Sequence, residues 1–219
     1  MASTRQRVKY FITRYIVGRS AVSMWRKRAK LYGARAALNI GHSEEEIEGV
    51  TTMQRDAIFP ILKQELTGRE KTVLDYGCGP GRFTRDLARL VDGNAIGVDP
   101  IQHFLDIAPR NENVEYRAMK KRAIPVADRS VDIVWICLVF GGIIKDRVLK
   151  YTVREIDRVL KHGGIIALIE NTTDIPNTRY WAFRPVEYYQ ALFMAHDLKC
   201  RGEYYDLGQR ISVMVGQKR

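Results

Sequence analysis

Residues 73–83, Val73-Leu74-Asp75-Tyr76-Gly77-Cys78-Gly79-Pro80-Gly81-Arg82-Phe83, set glycine at every second position directly after a short apolar run that carries an acid. Glycine admits positive φ and leaves no Cβ in the way of a ligand approaching the main chain. A helix starting just beyond such a turn presents free N–H groups to electron-rich atoms. The same pattern also closes plain tight loops, so its chemistry depends on what stands beside it. Eighteen residues past Gly81, Ala95-Ile96-Gly97-Val98-Asp99 reads as a second buried strand ending in an acid. An acid there is placed to accept hydrogen bonds from the two hydroxyls of a ribose, so the expected ligand is a nucleoside. Two side chains stand out as proton acceptors: Glu170, at the carboxyl end of a later apolar run, and His42, well before the glycine turn. Glu170 has a competing role as a loop cap, and a lone histidine is more often a surface or capping residue.

The elements that must position these groups alternate. Strands are expected near 72–76, 94–98, 113–117, 131–138 and 164–170, with helices near 81–91, 100–108, 145–160 and 185–196. Two late strands, near 199–206 and 211–217, flank a short turn containing Gly208 and suit a hairpin. This is an α/β pattern, and its ligands belong beyond the carboxyl ends of the parallel strands. Upstream, 23–39 reads as helical, and Ser43 with Glu46 resembles a capping box. The helix it starts is expected to break near Gly49 and resume through Leu66, with Pro60 as a kink or boundary.

The third glycine comes one residue earlier than in the dinucleotide pattern G-x-G-x-x-G, and Asp75 lies inside the strand. The stretch D-Y-G-C-G-P-G-R-F closely resembles motif I of the class I S-adenosylmethionine-dependent methyltransferases. The resemblance covers roughly residues 70–217, in the family's own order. It implies a Rossmann-like, seven-stranded, mostly parallel sheet with helices on both faces and an N-terminal helical cap. It also implies S-adenosyl-L-methionine as cofactor, held by Asp75, Tyr76, Gly77, Cys78, Gly79 and Gly81, by Asp99, Pro100 and Ile101, by Lys120 and Lys121, and beside Cys137. In the family the carboxylate at the Asp75 position lies near the methionine amino end. At Lys120 the sequence departs, because family members commonly carry an aspartate there that accepts from the adenine amino group.

Subclass signatures are absent. No D/N-P-P-Y/F follows the fourth strand, no Pro-Cys pair marks a cytosine nucleophile, and no E-x-x-D metal pattern stands in place. Cys78, Cys137 and Cys200 have no metal-ligand spacing. The acceptor is expected to be a small molecule, a sugar or glycan, or a lipid-linked group, facing Phe140, Asn171, Tyr180, Trp181 and Arg184, with Glu170 or His42 as base. The competing readings are a noncatalytic binding subunit with this fold and an enzyme acting on RNA or protein.

The formal net charge of +11 is concentrated at one end. Residues 1–40 hold ten bases and no acid, leaving 26 bases against 25 acids in the rest, so a nucleic-acid partner is disfavoured. Val8, Phe11, Ile12, Tyr15 and Ile16 form an apolar stripe at helical spacing among these bases. Such a helix can touch an anionic membrane, cover the active site, pack on the core or serve as a presequence. The expected organisation is therefore a basic arm and cap over 1–70 and a catalytic core over 71–219, in a cytoplasmic protein with peripheral membrane contact through the arm.

Overall fold

The apolar runs bracketing the glycine turn become the centre of one sheet. A computed structural model describes residues 21–120 and 123–219. The helix expected within residues 5–19, and Lys121, lie outside the described residues. Seven strands follow: β1 Thr72–Tyr76, β2 Asn94–Asp99, β3 Val114–Ala118, β4 Val131–Cys137, β5 Leu160–Asn171, β6 Lys199–Asp206 and β7 Gln209–Gln217. Their order is β3-β2-β1-β4-β5-β7-β6. Strands β1 to β5 pair in parallel, while β7 runs antiparallel to both neighbours, so the sheet is mixed. The order reverses between β1 and β4, which opens a crevice at their carboxyl ends.

Alternation along the strands supplies the two faces. Leu74, Val134, Ile136, Ile166 and Leu168 point to one side, against Leu149 and Ile156 of α5 Asp146–Val159 and Tyr189 of α6 Val186–Leu192. Val73, Ile133, Trp135, Ala167 and Val213 point to the other, against Ile58 and Leu62 of α2 Ile47–Gln64 and Leu87 of α3 Thr84–Leu90. Each fully buried leucine or isoleucine contributes roughly 1.5–3 kcal/mol relative to exposure.

Helix α2 runs unbroken through Gly49 and Pro60, contrary to the expected break. A glycine costs a helix only about 1 kcal/mol relative to alanine. Pro60 and Asp56, whose carbonyl the missing N–H would have met, are both exposed, so water satisfies that carbonyl. One half of the capping box forms, with the Ser43 N–H donating to Glu46 Oε2 at 2.6 Å.

A third cluster lies outside the sheet faces. Ala29 of α1 Ala21–Tyr32 and Ala36 of the following 3-10 turn pack on Ile101 and on Phe104 of α4 Gln102–Ile107, with Trp25 and Tyr32 beside them. Residues 21–37 thus lie beside the end of β2. Among the described residues no helix is long and apolar enough to cross a membrane.

Candidate functional site

The β1–α3 turn is pinned to β2. The N–H groups of Gly77 and Cys78 both donate to the Val98 carbonyl, at 2.8 and 3.1 Å. Asp99 completes the link: its Oδ2 accepts from Gly79 N–H at 3.1 Å and its Oδ1 from Ile101 N–H at 2.7 Å. Gly77, Gly79 and Gly81 all have positive φ, but for separate reasons. A Cβ on Gly77 would come within 2.6 Å of the Val139 side chain, and one on Gly81 would overlap the Tyr116 hydroxyl. At Gly79 a Cβ would meet only Ala37, at an ordinary 3.5 Å, so this glycine faces the crevice and the N-terminal segment.

Two buried acids lie under the turn. Asp75 accepts from the Thr84 hydroxyl at 2.7 Å, and burial pushes its pKa up to about 7. Burial likewise pushes Asp99 up to about 6. Each stands to gain from a cation or a set of donors brought by a ligand. The Tyr76 side chain turns into the core against Phe140, so only its main chain belongs to the turn. Cys78 is buried with its thiol pKa raised by burial, and its Sγ lies 3.0 Å from where a Gly97 Cβ would stand. Pro100 is exposed, whereas the Ile101 side chain is taken into the cluster beneath α1. Lys120 is exposed just past β3, and its carbonyl accepts from Ala123 N–H.

The far side of the crevice is a short 3-10 turn, Phe140–Gly142, after β4. Glu170 holds it. This fully buried carboxylate accepts from the N–H groups of Val139, Phe140 and Gly141, at 2.7, 2.5 and 3.2 Å, and burial pushes its pKa up to about 7. Arg184 clamps the same turn, donating to the carbonyls of Phe140 at 2.9 Å and Ile143 at 2.8 Å. Phe140 is fully buried and stacked on Phe193. Of the five acceptor-facing residues expected, Phe140 and Arg184 therefore build the turn rather than line it. Asn171 is buried and donates to Gln209 Oε1 at 2.7 Å. Tyr180 is half-buried, with the Arg179 guanidinium over its ring.

Trp181 does reach the turn: a Cβ on Gly141 would overlap its indole. A Cβ on Gly142 would stand 3.2 Å from Trp25 Nε1. Two indoles thus meet the Gly141–Gly142 pair, one of them from α1. Sequence reasoning missed Trp25 in this role, since nothing local in residues 21–32 points to position 142.

His42 and Glu170 are not brought to one point as paired bases. The buried His42 Nε2 lies 2.6 Å from Asp206 Oδ1, at the end of β6, and its Nδ1 lies 3.6 Å from Glu46 Oε1. The histidine borders an open cavity of about 540 Å3 together with Tyr32, Arg35 and Ser43. Cys137, the last residue of β4, has its thiol pKa raised by burial, which favours the protonated thiol.

Residues 73–164, from β1 into β5, match a model described as a methyltransferase domain. An uncharacterized methyltransferase-like protein of Schizosaccharomyces pombe is 33% identical over 115 residues, which are 52% of this chain and 43% of that protein. An arsenite methyltransferase of Halobacterium salinarum is 36% identical over 115 residues, covering 48% of this chain and 28% of that one. The chain thus spans less than half the length of these curated relatives. Among solved structures, an S-adenosylmethionine-dependent methyltransferase of Leishmania major superposes with a TM-score of 0.66 at 17% identity, over 90% of this chain and 81% of that one. Phosphoethanolamine N-methyltransferase 1 of Haemonchus contortus, in complex with phosphoethanolamine and S-adenosylhomocysteine, gives 0.63 at 15%, over 90% and 48%. At these identities the structural likeness is one of fold. The domain match runs through the glycine turn and Asp99, so residues 73–164 are similar to a methyltransferase domain, set in the fold that S-adenosylmethionine-dependent methyltransferases share.

Proposed function

We propose that this protein transfers a methyl group from S-adenosyl-L-methionine to a small-molecule, sugar or lipid-linked acceptor. The observation that carries the reading is the Gly79 turn tied to Asp99. An open, Cβ-free main chain faces the crevice while a buried carboxylate is fixed at the tip of β2. The residues fit the cofactor chemically. Asp99 keeps lone pairs free for two ribose hydroxyls beyond the two N–H groups it already accepts. Asp75, desolvated and beside a second acid, suits the cationic methionine end. Adenine would lie along Ile101 and the main chain near Lys120 and Lys121, since a lysine side chain cannot accept from its amino group. When bound, the cofactor supplies an electrophilic methyl on a sulfonium.

In this reading the chain's own work is alignment. Glu170 and Arg184 are positioning residues that hold the Phe140–Gly142 turn, on which Trp181 and Trp25 form an apolar wall for the acceptor. His42, oriented by Asp206, is the candidate base where an acceptor must lose a proton. Residues 21–42 act as the N-terminal cap, because Ala37 lies over Gly79 and Trp25 over Gly142. The division into an arm and cap over 1–70 and a core over 71–219, and peripheral membrane contact by the arm, remain part of this proposal.

The test is transfer of labelled methyl from S-adenosylmethionine into extracts fractionated by solubility and size. Label entering a small or lipid-soluble fraction, and lost in Asp99→Ala, supports the reading. Label entering only protein or RNA overturns the acceptor assignment.

A further inference from the structure

Helix α2 buries one side chain per turn along a single stripe, Val50, Gln54, Ile58 and Leu62. Three are aliphatic, and Ile58 and Leu62 pack on the sheet. Gln54, 1% exposed, is the exception, and its Oε1 accepts from the Arg82 guanidinium. Arg82 follows the third glycine directly and lies over the Phe83 ring, 4.9 Å from its centroid. Its Nε is buried without a hydrogen-bond partner. Among the described residues no carboxylate reaches ion-pair distance of Arg82. Arg82 is a half-buried cation whose enclosed Nε has no partner, with Asp75 and Asp206 near enough to act on it but not to pair with it, so it keeps a donor unspent.

A second donor lies in the same neighbourhood. Tyr204 sits two residues before Asp206 on the inward side of β6, 9% exposed, and its hydroxyl is likewise buried without a partner. Arg82 and Tyr204 each lie within electrostatic reach of the other and of Asp206 and Cys137, so these groups share one region at the carboxyl ends of β4 and β6. The Asp206–His42 pair links that region to the open cavity of about 540 Å3 bordered by Tyr32 and Arg35. Gln54 ties the Arg82 guanidinium to α2, while Tyr32 of the cavity belongs to the cluster on Ile101 and Phe104.

We propose that Arg82 and Tyr204 form an oxyanion subsite, fixed by Gln54, that receives a carboxylate or phosphate group of the methyl acceptor. A guanidinium N–H and a phenolic O–H are the donor pair such a group takes, and a desolvated charge-assisted bond is among the strong ones. The word acceptor rests on the function proposed above; the anion subsite itself does not. The acceptor is then an acidic small molecule, and the neutral members of the class are excluded.

The experiment uses the full chain and inorganic phosphate as the probe, read by thermal stabilisation with and without saturating S-adenosylhomocysteine. Arg82→Met, Tyr204→Phe and, as an equal-charge surface control, Arg85→Met are compared; Arg85 is exposed on α3. The expected result is phosphate affinity kept in the Arg85 variant, lowered at least about tenfold in Arg82→Met and severalfold in Tyr204→Phe, with S-adenosylhomocysteine affinity changed less than about threefold. Phosphate affinity unchanged in both site variants overturns the subsite. A loss of S-adenosylhomocysteine affinity in Arg82→Met that spares 5′-methylthioadenosine, which has no carboxylate, overturns it in another way, by giving Arg82 to the cofactor. If the wild type binds phosphate through Arg82 yet ignores S-adenosylhomocysteine, the methyltransferase reading fails and the anion subsite stands. Tyr204→Phe, which deletes one oxygen, keeps the test readable should Arg82→Met fold poorly.

Discussion

Asp99 serves two ends at once, which makes its removal informative. Asp99→Ala strips the expected ribose acceptor and leaves Gly79 and Ile101 N–H groups without their partner. At about 0.5–1.5 kcal/mol net per lost bond, and more for an ionised acceptor, cofactor affinity should fall at least roughly tenfold. Equilibrium binding to the folded variant checks this. Asp75 makes a different prediction, in pH. Its folded pKa near 7 and that of Asp99 near 6 exceed the ordinary carboxylate value of 3.8. Between about pH 4 and 7 the folded chain therefore holds protons that the unfolded chain has released, and these groups' contribution to stability falls as pH rises through that window. A cationic ligand prefers the ionised form, so S-adenosylmethionine should bind roughly tenfold more weakly at pH 6 than at pH 8. Asp75→Asn should flatten this dependence; a profile unchanged by that substitution would remove Asp75 from the cationic end of the site. The glycine spacing and Asp99 were legible because they act through backbone chemistry that sequence displays directly. The distinct needs of Gly77 and Gly81 were not, since Val139 just past β4 and Tyr116 of β3 reach them from elsewhere in the chain.

In the function proposed above, acceptor positioning depends on the Phe140–Gly142 turn, whose own backbone bonds, Gly142 N–H to Val139 and Ile143 N–H to Phe140, are supplemented by two buried side chains. Glu170 accepts from the N–H groups of Val139, Phe140 and Gly141, and Arg184 donates to the carbonyls of Phe140 and Ile143. Glu170→Ala leaves those buried donors unsatisfied at about 1–3 kcal/mol each. Chemical denaturation should show a loss of several kcal/mol, together with reduced turnover. A stable Glu170→Ala variant with normal cofactor affinity and no turnover would instead favour Glu170 as the base. Sequence placed Glu170 at the end of β5 and offered both roles; only the fold brings three N–H groups onto one carboxylate. Strand positions were readable from apolar runs. The course of α2 through Gly49 and Pro60 was not, because burial of Val50, Ile58 and Leu62 outweighs local helix-breaking tendencies.

Over the whole molecule, Trp25 and Ala37 of the described N-terminal residues approach the glycine turn and the Gly141–Gly142 pair from outside the sheet. Ala37 over Gly79 and Trp25 over Gly142 are contacts across long sequence separations, with no local signature to announce them. Two truncations separate the parts. Removing residues 1–20, which hold half of the ten uncompensated bases, should leave cofactor affinity within about threefold while lowering acceptor turnover or binding to anionic vesicles. Removing residues 1–42 also strips the cluster on Ile101 and Phe104 and the His42–Asp206 link, and should cost both stability and cofactor affinity. If the shorter truncation alone unfolds the protein, the arm belongs to the core packing. The central claim is that the glycine turn holds the sulfonium nucleoside. Calorimetric titration of the full chain with S-adenosylhomocysteine tests it most directly, comparing wild type with Gly79→Val, whose branched side chain meets positive φ and a blocked ligand path. One saturable site per chain in the wild type, lost in the folded Gly79→Val variant, is the predicted result; no binding by the wild type, or equal binding by the variant, would contradict it.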